Sequence, residues 1–265
     1  MSNFICVQIF QLFLESCAGD MKIPVKLIQM SDLPSELSSY PNNRGRVGET
    51  YSVSWTNDGS LVSCGKWYVA LLGHNLQMLH RQRVDHADCV RQFNDGFLMM
   101  LYRASRTHLQ HMTEQLEPST SILPDMRQQL FCQFCFTNSA VVVVNCTENS
   151  IDVYERLTLK KHNSIGTDLE TLRGIHALDD SSVVVTDHNS HVVRLYNINT
   201  GEPMWTYTGA RHPTGVSSDL EGFIYVADNA YCPLKVRAKY QQELIDNNYV
   251  NLECYCQFNN LSFSW

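Results

Sequence analysis

The amino-acid sequence predicts an all-β protein, a β-propeller of about five to six four-stranded blades. Two observations predict this fold: short apolar strands alternate with tight turns, and the turns return about every 40 residues, the length of one propeller blade. A β-sandwich also has short strands and turns, but without a sustained period of this length. The repeat therefore favours a propeller.

The clearest repeat lies between residues 172 and 229. Its first copy runs from Gly174 through a turn to an apolar strand that closes with Asp187, and its second runs from Gly215 to a similar strand that closes with Asp228. Each copy has a short strand, a tight turn, a strongly apolar strand and a final aspartate. We predict that the two copies are consecutive blades.

Three weaker copies precede this pair, with turns at 56–59, 94–96 and 137–139, and the first copy offers two further strands at 68–72 and 76–79. Asp-Gly between apolar runs indicates a hairpin, because glycine tolerates the positive φ of a tight turn. The valine run 141–144 has no polar alternation, which predicts a strand covered on both faces by neighbouring blades. Only five units are visible, so the ring is expected to be incomplete or closed by strands from the two termini.

The chain divides into an N-terminal segment and linker (1–45), the propeller (46–240) and a C-terminal tail (241–265) that offers a closing strand at 250–258. The apolar stretch 4–14 is similar to the hydrophobic part of a signal peptide, but it lacks preceding basic residues. A signal peptide and a buried helix or strand both stay open for this stretch.

Composition restricts the function classes. The chain has 265 residues, 44% hydrophobic and 18% charged, with a net charge of −7, which predicts a folded protein and disfavours nucleic acid as a partner. No apolar run reaches the roughly 18 residues of a transmembrane helix, so no membrane contact is expected. Several of the ten cysteines lie in apolar runs, which favours buried thiols in a reducing, cytoplasmic compartment.

The densest polar cluster is 187–191, Asp-His-Asn-Ser-His, and its counterpart in the next repeat is Asp228-Asn229. Equivalent loops of successive blades meet on one face of a propeller and could bind a partner there. Asp and Asn after a strand also tighten turns by accepting backbone N–H bonds, and their recurrence in register favours this structural role. The candidate binding residues are Asp187, His188, Asn189, His191, Arg211, His212, Asp228 and Asn229.

The sequence contains no G-x-S-x-G elbow, glycine-rich phosphate loop or H-E-x-x-H helix. We therefore assign no catalytic or metal-ligating residue, expect no cofactor and predict that the chain is not an enzyme.

The two clear copies resemble NHL repeats. The first matches at Arg173-Gly174-Ile175, at 184–187 and at 189–192, and the second matches at 213–216 and 225–228. Propellers of this kind are the C-terminal domains of tripartite-motif proteins, so the resemblance implies a platform for a protein or RNA partner behind a ubiquitin-ligase module. A zinc-binding RING or B-box needs a ladder of Cys and His pairs, and only Cys132-x₂-Cys135 supplies one. The resemblance thus implies a non-enzymatic interaction scaffold, with any ligase activity supplied by another chain or region.

Gluconolactonase-type propellers are similar too, and they imply an alternative: a metal-dependent hydrolase or lactonase with ligands on the axis. Asp187, Asp228, Asn145 and Cys64 are the residues that this chain offers at the matching positions, whereas the second repeat offers Tyr102-Arg103, which is not a ligand pair. RNA binding is a third alternative, which the acidic net charge disfavours.

Overall fold

A computed structural model describes residues 50–103, 106–121, 126–127, 133–218, 223–228, 236–239 and 253–254. All regular secondary structure within these ranges is β-strand, and all strand pairs are antiparallel. The described ranges include no helix that is long and apolar enough to cross a bilayer. The predicted segment 1–45 lies outside them.

The strands form five sheets, each built from strands that follow one another along the chain. The first sheet contains β1 (Thr50–Trp55), β2 (Leu61–Gly65), β3 (Tyr68–Leu72) and β4 (Met78–Arg83). The second contains β5 (Ala87–Phe93), β6 (Gly96–Arg103), β7 (Arg106–Met112) and β8 (Pro118–Ser121), and β9 (Met126–Arg127) also pairs with β7. The third contains β10 (Phe134–Phe136), β11 (Ala140–Asn145), β12 (Ser150–Glu155) and β13 (Lys161–Gly166). The fourth contains β14 (Leu172–Ala177), β15 (Ser182–Asp187), β16 (Val192–Asn197) and β17 (Pro203–Tyr207). The fifth contains β18 (Pro213–Ser218), β19 (Phe223–Asp228), β20 (Val236–Lys239) and β21 (Glu253–Cys254).

Successive sheets share apolar cores, which is the arrangement of propeller blades. Val141 and Val143 pack with residues of the second sheet, whereas Val142 and Val144 pack with residues of the fourth. All four side chains are fully buried, and burying one such side chain contributes about 1.5–3 kcal/mol. The predicted all-β propeller is therefore confirmed, as is the prediction that this valine strand is covered on both faces.

Two local predictions need correction. Residues 76–79 were expected to form a strand, but Leu76 lies in a turn with φ of 64° and β4 begins at Met78. In the turn at 94–96, the positive φ belongs to Asn94 and not to Gly96. Gly96 is needed for space, because a Cβ atom there would lie 2.2 Å from the Met112 carbonyl oxygen.

The cysteines pack as apolar side chains. Cys64, Cys89 and Cys135 are buried free thiols, and Cys146 is partly buried. Burial raises the pKa of Cys135 to about 12 and that of Cys64 well above its ordinary value, so both remain protonated. These thiols are poor nucleophiles and poor metal ligands.

Because consecutive strands of a sheet run in opposite directions, successive connections emerge at alternate ends of the sheet. The loops from the second to the third strand of a sheet and from one sheet to the next emerge together. We call this end the histidine face, and its described connections are 66–67, 84–86, 146–149, 167–171, 188–191 and 208–212. The other described turns emerge at the opposite end, which we call the turn face: residues 56–60, 73–77, 94–95, 113–117, 137–139, 156–160, 178–181 and 198–202.

Candidate functional site

Asp187, the last residue of β15, is a structural element of the histidine face. Its side chain is fully buried and accepts four backbone N–H bonds. The donors Glu170 and Thr171 belong to the connection 167–171, and the donors Asn189 and Ser190 belong to the turn after β15. The carboxylate therefore fixes two loops against each other, as the structural interpretation of the motif predicted.

Asn145 has the equivalent place in the third sheet, at the end of β11. Its side-chain oxygen accepts the N–H bonds of Thr147 and Glu148, each 3.2 Å, and its Nδ2 donates to Asp152. Asp228 ends β19 and its backbone pairs with Pro213, but its side chain and the whole of Asn229 lie outside the described residues. The terminal Asp or Asn is thus a recurrent turn-fixing device in the third and fourth sheets.

Three of the predicted binding residues meet on the histidine face. His188 and His191 lie in the turn after β15, and His212 lies just before β18. The ring centroids of His188 and His212 are 4.9 Å apart, as are those of His191 and His212. We call these three residues the histidine cluster. Arg211 and Asn189 are exposed next to it.

His188 has the most constrained environment of the three. Its Nδ1 is buried without a hydrogen-bond partner. The backbone of Pro213, whose only polar group is its carbonyl, acts on the ring in favour of the protonated form. Burial, then the charge of Arg173, then those of His212 and His191, lower the pKa of His188. The ring is therefore neutral at neutral pH, and its Nδ1 faces the interior of the protein.

Arg173 places a positive charge close to His188. It follows Leu172, whose backbone pairs with Asp187 in the β14–β15 ladder, so Arg173 lies beside the turn 188–191. Its side chain is partly buried, and its charge acts on His188. Sequence reasoning placed Arg173 in the repeat motif but did not select it as a binding residue.

A further histidine of the histidine face, His86, is also absent from the binding residues predicted from the sequence. His86, between the first and second sheets, has Nε2 2.9 Å from Oδ1 of buried Asp88. Its ring contacts Tyr51 and Tyr102, with centroids 4.9 Å and 5.9 Å apart. Its φ of 101° is unusual for a residue with a side chain and indicates a local constraint. The only sequence signal is D-H-A-D at 85–88, where β5 begins.

The first strands carry a polar layer where the sheets meet. Arg91 of β5 donates a 3.0 Å hydrogen bond to the Ser52 hydroxyl of β1. His176 of β14 contacts the Ser218 hydroxyl of β18 through Nε2, also at 3.0 Å. Burial, and then the charge of Arg91, lower the pKa of His176 to about 4, so this ring is neutral near pH 7. These contacts link the first strands of neighbouring sheets.

The ranges covered by the structure contain no group of three or more His, Cys, Asp or Glu side chains placed to hold a metal ion. Of the ligands that the lactonase alternative would use, Asp187 and Asn145 bind backbone amides, and the Cys64 thiol donates to the Ala87 carbonyl at 3.4 Å.

The architecture defines the chain as a β-propeller. No protein-family model and no curated protein sequence matches it. Solved structures that it resembles include a protein of unknown function from Bacteroides caccae, with 11% identity and a TM-score of 0.57 over 76% of this chain and 78% of that one. The WD40 β-propeller domain of Doa1 has 9% identity and a TM-score of 0.57 over 77% of this chain and 67% of that one. A chain of the mitotic checkpoint complex has 11% identity and a TM-score of 0.58 over 74% of this chain and 65% of that one. At these identities, and with 1116 solved chains matching, the likeness shows the fold alone. The narrower resemblance to NHL repeats stays a prediction.

Proposed function

We propose that this propeller is a non-enzymatic interaction module that presents its histidine face to a partner protein. The observation that carries the proposal is the convergence of His188, His191 and His212 from two separate connections, with Arg211 exposed beside them. Polar and aromatic side chains held on a rigid β scaffold are suited to recognition, because little side-chain freedom is lost on binding.

Two further observations support a binding role over catalysis. The thiols Cys64 and Cys135 are held protonated inside the sheets, and His176, whose Nε2 contacts the Ser218 hydroxyl, has a pKa lowered to about 4, which makes it a weak general base at neutral pH. In addition, one of the similar folds belongs to the mitotic checkpoint complex, an assembly of proteins.

The expected NHL-type relationship and the expected cytoplasmic location are part of the same proposal. An NHL-type relationship would make the chain the recognition part of a ubiquitin-ligase system whose catalytic module lies elsewhere. The burial of Cys64, Cys89 and Cys135 inside the sheets supports placement in the reducing cytoplasm.

The test compares capture of partner proteins by immobilised wild-type protein and by a variant with His188, Asn189, Arg211 and His212 all replaced by alanine. The matched control replaces the exposed Leu157, Thr158 and Lys160 of the turn face by alanine. We expect quantitative mass spectrometry to find proteins that the wild type and the control retain and the quadruple variant loses, at equal melting temperatures. Equal capture by all three proteins would refute binding at this face.

A further inference from the structure

The histidine cluster joins a firmly held turn to a connection that has fewer backbone bonds. Asp187 binds two amides of the turn 188–191, and the His188 N–H donates to the Thr171 carbonyl at 3.0 Å. These bonds tie the turn to the connection that leads into β14. The connection 208–212 leads from β17 to β18, and its first three residues make no backbone hydrogen bond outside the strand ladders within the described chain.

Contacts between rings link these two segments. The ring centroid of His212 is 4.9 Å from that of His188 and 4.9 Å from that of His191. In the same connection, Ala210 is buried in the apolar core of the fourth and fifth sheets, whereas Arg211 is exposed. The connection is therefore held against the turn in part by imidazole rings, and the charge of an imidazole changes with pH.

The environment of His188 suits only its neutral form. Its Nδ1 is buried and has no hydrogen-bond partner. A protonated imidazole carries an N–H on both nitrogens, so the charged ring would bury an N–H that lacks an acceptor. Burial contributes most to the lowered pKa of His188, followed by the charges of Arg173 and of the other two histidines of the cluster. The backbone of Pro213 acts in the opposite direction, without reversing the shift.

No described carboxylate bonds to the His188 ring and offsets this cost. Asp187 binds four backbone amides, Asp168 is hydrogen-bonded to Arg194, and Glu170 is exposed. Asp228 ends β19 next to Pro213, and its side chain lies outside the described residues. The titratable and charged side chains on the elements around His188 are thus Asp168, Glu170, Arg173, Asp187, His191, Arg211, His212 and Asp228.

We propose that the histidine cluster is a pH-sensitive latch, in which neutral rings hold the connection 208–212 against the turn 188–191 and a proton on His188 releases it. In the open form, water reaches the Nδ1–H of the protonated ring and accepts its hydrogen bond. The turn stays in place, because Asp187 and the backbone of Thr171 continue to bind it. The latch is independent of the proposed function, since it operates without a partner.

The direction of the pH dependence follows from the pKa of His188. This pKa is lowered in the closed form and returns towards its ordinary value of about 6.5 when the ring is in water. Between the two values, the open form carries a proton that the closed form lacks. Opening is therefore favoured as the pH falls below about 6.5, and one such group changes the ratio of open to closed protein by at most about tenfold per pH unit.

Nuclear magnetic resonance of the full chain with ¹³C-labelled histidine rings tests the latch. The ring signals are assigned with single His→Gln variants and followed from pH 7.5 to pH 5.0. Nuclear Overhauser effects from His212 to His188 and to His191 report the closed form, and circular dichroism at each pH reports the overall fold. The key variant is His188→Gln, which does not titrate. The control is His162→Gln, because His162 is an exposed histidine of β13 outside the cluster.

We expect both Overhauser effects at pH 7.5. Both should weaken as His188 takes up its proton, with a midpoint below about pH 6.5 and an unchanged circular dichroism spectrum. In His188→Gln, the effect between His191 and His212 should lose less than about half of what it loses in the wild type, because the least favourable proton is absent. His162→Gln should behave as the wild type does.

Four other results would overturn the latch. Full Overhauser effects after His188 is protonated would show that the charged ring is accommodated in the closed form. Loss of these effects together with the circular dichroism signal would show global unfolding instead of a local release. An equal loss in His188→Gln and the wild type would assign the opening to other groups. These three results leave the proposed function intact, whereas absence of the Overhauser effects at pH 7.5 would refute the latch and also remove the observation that carries the proposed function.

Discussion

Replacing Asp187 by alanine is expected to cause the largest loss of stability of any single substitution on the histidine face. The carboxylate is fully buried and accepts backbone N–H bonds from Glu170, Thr171, Asn189 and Ser190. A hydrogen bond to a charged group contributes about 1.5–3 kcal/mol. Water can replace the carboxylate at the turn, where Asn189 is exposed, so we count the two bonds to the 167–171 connection. Asp187→Ala should then lower the free energy of unfolding by about 3–6 kcal/mol.

Urea unfolding followed by tryptophan fluorescence and circular dichroism measures this loss. Asp187→Asn, which keeps one acceptor oxygen but brings an NH₂ group against backbone donors, should lose about half as much. The control is Asp179→Ala, because exposed Asp179 binds only Ser181 in a local turn and should cost about 1 kcal/mol or less. A midpoint for Asp187→Ala equal to that of the control would refute the structural role of the motif.

Three further predictions concern other parts of the fold. Lys161→Met should cost about 1–2 kcal/mol at pH 7, because Lys161 pairs at 2.9 Å with buried Asp152. Burial raises the pKa of Asp152, but hydrogen bonds and the Lys161 charge outweigh it and hold that pKa below its ordinary value, so urea unfolding should show the difference fading below about pH 4. Burial lowers the pKa of His176 to about 4, so between about pH 6.5 and about pH 4 the unfolded chain carries a proton on this residue that the folded protein lacks. The protein therefore loses stability as the pH falls through this range. His176→Gln should remove about 2 kcal/mol of this acid sensitivity in parallel melts at the two pH values, and an unchanged pH profile would contradict the assignment. Gly174→Ala should cost about 1–3 kcal/mol in thermal unfolding, because its Cβ would lie 2.4 Å from the Thr214 carbonyl oxygen, and wild-type stability would show that the sheets separate easily.

The sequence predicted the fold because its strongest signals are properties of the fold itself. The runs at 141–144 and 183–185 are apolar at every position, since the third and fourth sheets each lie between two others. Gly174 recurs as Gly215 in the next copy, and at Gly174 the approach of the Thr214 backbone leaves no room for a side chain. Such requirements repeat with every blade, so the period reveals them.

The candidate site was predicted only in part, because contacts between distant segments leave no periodic signal. Asp187, His188 and His191 stand out as one polar cluster after an apolar strand. Their relation to His212 depends on how β15 and β18 lie side by side, which no local pattern expresses. His176 sits inside an apolar repeat phrase, where its contact with Ser218 in the next sheet could not be inferred.

The position of the histidine cluster follows from how the fold holds its turns. Asp187 and Asn145 stand at the same place in their sheets, and both bind the backbone amides of the turn that follows. Because backbone amides are common to all residues, this device fixes the turn without specifying the side chains within it. His188 can therefore differ from its counterpart Cys146, whereas His191 and its counterpart Asn149 both have a positive φ, 59° and 49°, which restricts the residues accepted there. Residues that determine the loop and residues suited to recognition are adjacent in the sequence but have separate roles, which is why one motif supported both a structural and a functional interpretation.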